Sequence, residues 1–262
     1  MVRSLRVAWL YLRLGVLNEL QYRVNFFVQI VQSVVALATG LAALALVFSY
    51  TQTLAGWTQP ELLAVLGVYV LVGGLIKMSI QPNMNRLMED VQGGTLDFVL
   101  TKPEDAQVLV SVREVRLWQF VDVLLGAAVL AVAVSQLGEA IGMREALLFA
   151  FALTLGGAII YSVWLIITTG AFWIVRMEFV NELMQGIYQT GRWPVDVYPG
   201  ALRLGLTFLV PVGIAITVPA SALTARLTPP TLLLAVAVAA VLVTFSRWFW
   251  IYGLRHYSGA SA

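Results

Sequence analysis

Long apolar runs, each near the length of a membrane-crossing helix, alternate with short polar segments along this chain. A helix needs about 20 predominantly apolar residues to cross a ~30 Å hydrocarbon layer. The pattern predicts spans over residues 24–48, 62–80, 117–137, 146–175 and 231–253. The fourth is long enough to tilt or to extend past the bilayer. A further apolar run, 201–220, is cut by Pro211, which removes a backbone donor and disrupts a helix. Two readings of this region stay open. In one, 177–192 is a polar loop and 201–220 crosses. In the other, 177–192 is a short protein-facing span and the halves on either side of Pro211 re-enter the outer leaflet, which requires burial in protein or a water-lined cavity. Either way the fold class is an all-α polytopic membrane protein with six spans. Residues 1–262 form one transmembrane domain.

Two stretches outside the spans also carry a pattern. In residues 1–23, Leu5, Trp9, Leu12 and Val16 follow helical spacing, with Arg6 and Arg13 on another face. This predicts an amphipathic helix lying in the headgroup layer. Between spans two and three, residues 82–114 hold Met84, Leu87, Met88 and Val91 at i, i+3, i+4, i+7, one apolar stripe on a helix. Gly93 and Gly94 then end that helix with left-handed geometry, and Thr95 is placed to cap a short helix "LDFVL". Pro103, Glu104 and Asp105 read as the first turn of a long helix. Helix, break, short helix, break, helix is a shaped element rather than a slack loop. Its apolar residues must bury against the spans, the membrane surface or a partner.

Charge sets the orientation. The chain is 60% hydrophobic and 11% charged, whereas soluble domains carry about 25% charged residues. Arginines and lysines cluster in the N-terminal segment, between spans two and three (Arg86, Lys102, Arg113, Arg116) and at the C-terminal end (Arg247, Arg255). The 1–2 segment has none before span two and the 3–4 segment has only Arg144. Basic residues mark the cytoplasmic side, so both termini and the 82–114 segment are expected inside. The small net charge of +2 reflects this topology and gives no reason to invoke nucleic acid.

Little in the sequence carries covalent chemistry. There is no cysteine, and His256 is the only histidine, expected as a solvated side chain. There is no G-x-x-x-x-G-K-[ST] loop to cradle ATP phosphates. No catalytic constellation is present, so the chain is expected to be non-enzymatic and to bind no cofactor or metal itself. Charged residues within spans call for a functional explanation. Lys77 is near the end of span two, where its stem can snorkel. Asp122 can bond Gln119 or Gln81, or face a central cavity. Glu178, Glu182, Gln185 and Gln189 share one helical face. The small pairs Ala36/Gly40, Ala127/Ala131 and Ala235/Ala239 permit close helix packing.

The order of basic interfacial helix, two spans, "GGTLDFVLTKP" and four further spans resembles the permeases of type-2 ABC exporters. The proline-marked stretch 191–227 is similar to a second family feature. The nearest resemblance is to the bacterial two-permease branch. The resemblance implies a multi-pass protein of the bacterial inner membrane that works as a dimer with an identical or related permease. It also implies two cytoplasmic ATPase subunits that bind ATP and magnesium. The 2–3 segment would be the coupling helix, with Leu96, Phe98 and Leu100 as the plug and Asp97 and Lys102 as its polar rim. Gly93, Gly94 and Pro103 would set its geometry, and Leu87 lies on the stripe beneath it. Asp122, Glu178 and Glu182 are candidates for a polar pathway or interface. The competing reading is an ion-coupled carrier that uses these carboxylates.

Overall fold

The computed structural model describes residues 23–138, 142–173 and 179–257. The expected interfacial helix over 1–23 falls almost wholly outside them, as does Glu178. Among the described residues every element is helical, apart from a single bridge between Leu54 and Trp57. Helix α1 is Arg23–Tyr50 and α2 is Gln59–Leu75. A π-helical turn, Ile76–Ile80, carries α2 without interruption into α3, Gln81–Gln92. Two short helices follow, α4 (Asp97–Leu100) and α5 (Ala106–Ser111). Then come α6 (Phe120–Leu137), α7 (Met143–Thr169) and α8 (Val180–Thr190). The chain closes with α9 (Gly200–Leu204), α10 (Val212–Leu223) and α11 (Pro229–His256).

Five helices are long and apolar enough to cross a membrane, and they coincide with the five clean apolar runs of the sequence. A sixth candidate is the pair Gly200–Phe208 and Val212–Leu223, which meet at 86°. The bend falls at Val210–Pro211, where proline was expected to break the helix.

The bundle is organised around α2. It packs most extensively on α6, while α7 packs on α10 and α11, and α10 closes back onto α2. Glycine makes the central contact possible. A Cβ at Gly74 would lie 2.8 Å from the backbone nitrogen of Val123, and one at Gly67 would lie 2.8 Å from Leu130. Gly126 on α6 faces the backbone of Leu71 directly. Small residues let helix backbones approach where no solvent-driven force favours the contact. The expected pair Ala127/Ala131 is not this seam: both are exposed, and Gly126, Leu130 and Ala133 are buried instead. The interface follows the shape of α2, which pairwise spacing on α6 alone cannot reveal. Ala235 and Ala239 are buried as expected, and Gly40 approaches Leu66.

Contacts distinguish two ends of the bundle. At one, Glu61 accepts from Arg226 Nε at 2.5 Å and also from the Thr58 N–H at 2.7 Å. Arg226 lies over the Trp57 ring, 4.7 Å from its centroid. One carboxylate thereby caps α2 and fastens the turn between α10 and α11. At the other end, Phe172 packs on Trp250 and Tyr257, and Phe245, Trp248 and Tyr252 form an exposed aromatic face on α11. Such belts suit a membrane–water interface. His256 lies in this belt, exposed and ring to ring with Tyr252 at 4.3 Å.

Candidate functional site: a braced knob and a polar cavity

The segment between α2 and α6 is built on the predicted stripe. Met84, Leu87 and Met88 are buried, with Val91 half-buried. The polar face of α3 does as much. Asn83 is buried and clamps the returning chain, accepting from the Glu114 N–H at 2.9 Å and donating to the Glu114 carbonyl at 2.7 Å. Arg116 N–H donates to the Met78 carbonyl at 2.9 Å, within the π-helical turn. The knob and the second span are thereby locked together.

Asp90 is the organiser. It is 3% exposed and lies 2.6 Å from Arg113 Nη2 and 3.4 Å from Arg86 Nε. The 2.6 Å approach is an ion contact, not an aligned hydrogen bond. Thr95 Oγ1 donates to Asp90 Oδ1 at 2.8 Å, and the Thr95 and Leu96 N–H groups donate to its carbonyl. Thr95 therefore does not cap α4 as expected; a buried carboxylate already holds its hydroxyl. Gly94 has φ +66°, the left-handed geometry expected for the break, whereas Gly93 is right-handed. The expected long helix from Pro103 is also revised. Asp105 accepts from the N–H groups of Gln107 and Val108 and caps α5 instead, and α5 is only six residues long. The chain from Val112 to Arg116 is extended or irregular because its polar groups are taken by α3 and the π-helical turn.

At the tip, Leu96 and Val99 are buried while Phe98 is 72% and Leu100 36% exposed. Leu96, expected beside Phe98 in the plug, and Leu87 beneath it are sealed inside this chain and present no surface. Asp97 is half-buried, and Lys102 and Pro103 are exposed beside Phe98.

A second brace ties the knob to the last helix. Arg247 donates to Asp105 at 2.5 and 3.1 Å and to Gln107 Oε1 at 2.8 Å. Tyr161 on α7 shares bonds with Gln107 and Ser111. The Arg247 bond holds the Asp105 carboxyl below its ordinary range, against a smaller opposing effect of burial. A depressed folded-state pKa stabilises at pH values above the unfolded value and loses its effect as pH falls through the folded one. The stability difference between the native chain and Asp105→Asn is therefore expected to be flat from pH 8 to 5 and to close below about pH 4. Thermal unfolding in detergent across that range checks this. The difference should stay within about 1 kcal/mol, since both side chains are part-exposed.

The polar residues expected within the membrane gather in part. Lys77 does not simply snorkel: it pairs with Asp122 at 3.0 Å. Both line a cavity of about 440 Å³ between α1, α2, α6 and α8, which Gln185 and Gln189 also line. Glu182, expected on their face, is exposed outside this cavity. Across the cavity, Gln119 donates to Gln29 at 2.8 Å. Tyr188 stacks on Tyr69 at 4.9 Å and donates to its carbonyl at 2.5 Å. The sequence reading missed Asp90, Asn83, Arg113, Arg192 and Tyr188. Asp90 offered one signal, a carboxylate on a helix that buries its neighbours, yet its arginine partner is 23 residues away.

The family model described as an ABC-2 family transporter protein matches residues 34–261, most of the chain. No curated protein and no solved structure matches it. With several membrane-length apolar helices and a match across nearly its whole length, the chain belongs to the ABC-2 transporter family as a multi-pass membrane permease.

Proposed function

We propose that the chain is the substrate-conducting permease of an ATP-driven exporter, with the 93–103 knob as the part gripped by a separate ATPase. The observation that carries this is Phe98. It is a large apolar side chain, mostly exposed, at the tip of an element braced by Asp90–Arg113 and Asp105–Arg247. A rigid lever with an apolar tip suits docking in a groove, and its brace to α11 and to the π-helical turn gives motion a route into the bundle. Asp97, Lys102 and Pro103 border the tip. Two ATPase subunits and a second permease, identical or related, complete the assembly. The setting is the bacterial cytoplasmic membrane, with the knob and both termini on the cytoplasmic side.

In this reading the fifth crossing is made in two halves. Helix α8 has 11 residues and α10 has 12, lengths of about 16 and 18 Å that cross only together. α8 follows the Phe172 end of α7, and α10 leads to Arg226 at the opposite end. Between them lies 191–211, tied by Arg203–Asp196 and by Tyr198 on the Thr190 carbonyl. Asp122 is committed to Lys77 and Glu182 is exposed, an arrangement that gives an ion-coupled carrier little to work with.

Phe98→Asp is expected to abolish co-purification with the partner ATPase while leaving the permease folded, because an ionised carboxylate cannot be desolvated in an apolar groove. Undiminished association would remove the coupling role from this tip.

A further inference from the structure

The polar cavity has an apolar continuation. A second cavity, about 360 Å³, is lined by Leu37, Leu41 and Leu44 of α1, Leu63 of α2, and Val129 and Val132 of α6. The two share one stripe on each helix. On α6, Asp122, Leu125, Val129, Val132 and Gln136 follow steps of three and four; along α2 and into the π-helical turn, Leu63, Val70 and Lys77 are seven apart. Side chains at these spacings lie on one face. The face is polar and charged toward the knob and greasy toward the Glu61 end.

The polar part is cationic. Lys77, Arg116 and Arg192 line it against a single carboxylate, Asp122. The Lys77–Asp122 pair cancels, which leaves two guanidinium groups. Among the described residues, no ion pair satisfies either of them. Arg192 lies over the Tyr69 ring, 5.6 Å from its centroid, and its buried Nε has no hydrogen-bond partner. Planar arginine forks match phosphate oxygens in geometry as well as charge. From Lys77 to Leu63 is 14 helical residues, about 21 Å, more than the ~15 Å half-thickness of the hydrocarbon core that one acyl chain fills.

We infer that this pair of cavities binds an anionic membrane lipid, its phosphate on Arg116 and Arg192 and one acyl chain along the α1–α2–α6 groove. That the lipid is cargo rests on the permease reading; the binding itself does not. Lys77 stays out of the test because removing it would strand buried Asp122.

The purified full chain is held in neutral detergent and offered phosphatidylglycerol or phosphatidylcholine of the same chain length, and retained lipid is counted by native mass spectrometry. Phosphatidylglycerol should be retained in preference. Arg116→Gln with Arg192→Gln should weaken it roughly tenfold or more, and the matching lysine substitutions, which return the charge without the planar fork, should restore only part of the loss. Ala128→Phe, which fills the groove from an exposed lining position, should lower retention of long-chain but not short-chain phosphatidylglycerol. Equal retention of the two lipids, no loss in the glutamine variant, or displacement by glycerol phosphate as effective as by lipid would each overturn the inference. None of these readouts involves the ATPase, so failure here is distinct from failure of the Phe98 test.

Discussion

Asp90→Ala is expected to collapse the knob, with a loss of about 2–4 kcal/mol in stability. Breaking a buried ion pair by removing one partner costs ~3–5 kcal/mol, since the surviving charge is left desolvated. The lower range applies because the Arg113 side chain retains 14% exposure. Asp90 also receives Thr95 Oγ1 and lies near Arg86, so its loss frees the turn that carries Gly94 and Leu96. Thermal unfolding of the detergent-solubilised chain, together with limited proteolysis between residues 92 and 105, measures both consequences. The double variant Asp90→Ala with Arg113→Met should recover much of the loss, because it removes the stranded charge as well. Without such recovery, the defect would lie in the Thr95 turn rather than in the ion pair.

Gly126→Val is expected to be the most damaging substitution within the spans. The added atoms would meet the Leu71 main chain, with its Cα 2.7 Å from the new Cβ. A side chain can change rotamer; a backbone held in a helix cannot. Overpacking ordinarily costs about 1–3 kcal/mol, and the rigid neighbour places this site at or above the top of that range. The α2–α6 seam would have to open along its length, as Gly74 and Gly67 on α2 approach α6 closely as well. Gly157→Ala is the control. It lies in the interior of α7, and a Cβ there meets nothing within 4 Å. It should be neutral or gain up to ~1 kcal/mol from helix propensity. Melting temperatures of Gly126→Ala, Gly126→Val and Gly157→Ala in one detergent decide the matter. Equal behaviour of Gly126→Ala and Gly157→Ala would show that the close approach has no energetic weight.

The two sites meet at the π-helical turn. Lys77 lies within it, Arg116 N–H bonds the Met78 carbonyl, and Asn83 just beyond it holds Glu114. The knob and the cavity wall are therefore joined through this one short turn between α2 and α3. π-Helical turns recur at functional sites because they offer a local change of register inside an otherwise stiff helix.

What the amino-acid sequence determined by itself was whatever local physics dictates. The five apolar runs became five membrane-length helices because an apolar run of that length has only one way to satisfy its backbone in lipid. The Met84–Leu87–Met88 stripe was buried because helical periodicity places those residues together. Pro211 broke the chain for want of a donor. Tertiary structure alone decided the pairings. Asp90 with Arg113, Lys77 with Asp122, Asp105 with Arg247 and Glu61 with Arg226 join residues between 23 and 165 positions apart, and nothing local distinguishes each partner from other arginines, lysines or carboxylates. Leu96 and Phe98 are both apolar and two residues apart, yet one is sealed and the other exposed, because burial follows from what packs above a residue. Helices α8 and α10 follow the same rule: with 11 and 12 residues neither is long enough to cross unaided, and the packing of α10 on α2 and α7 is set by tertiary contacts alone.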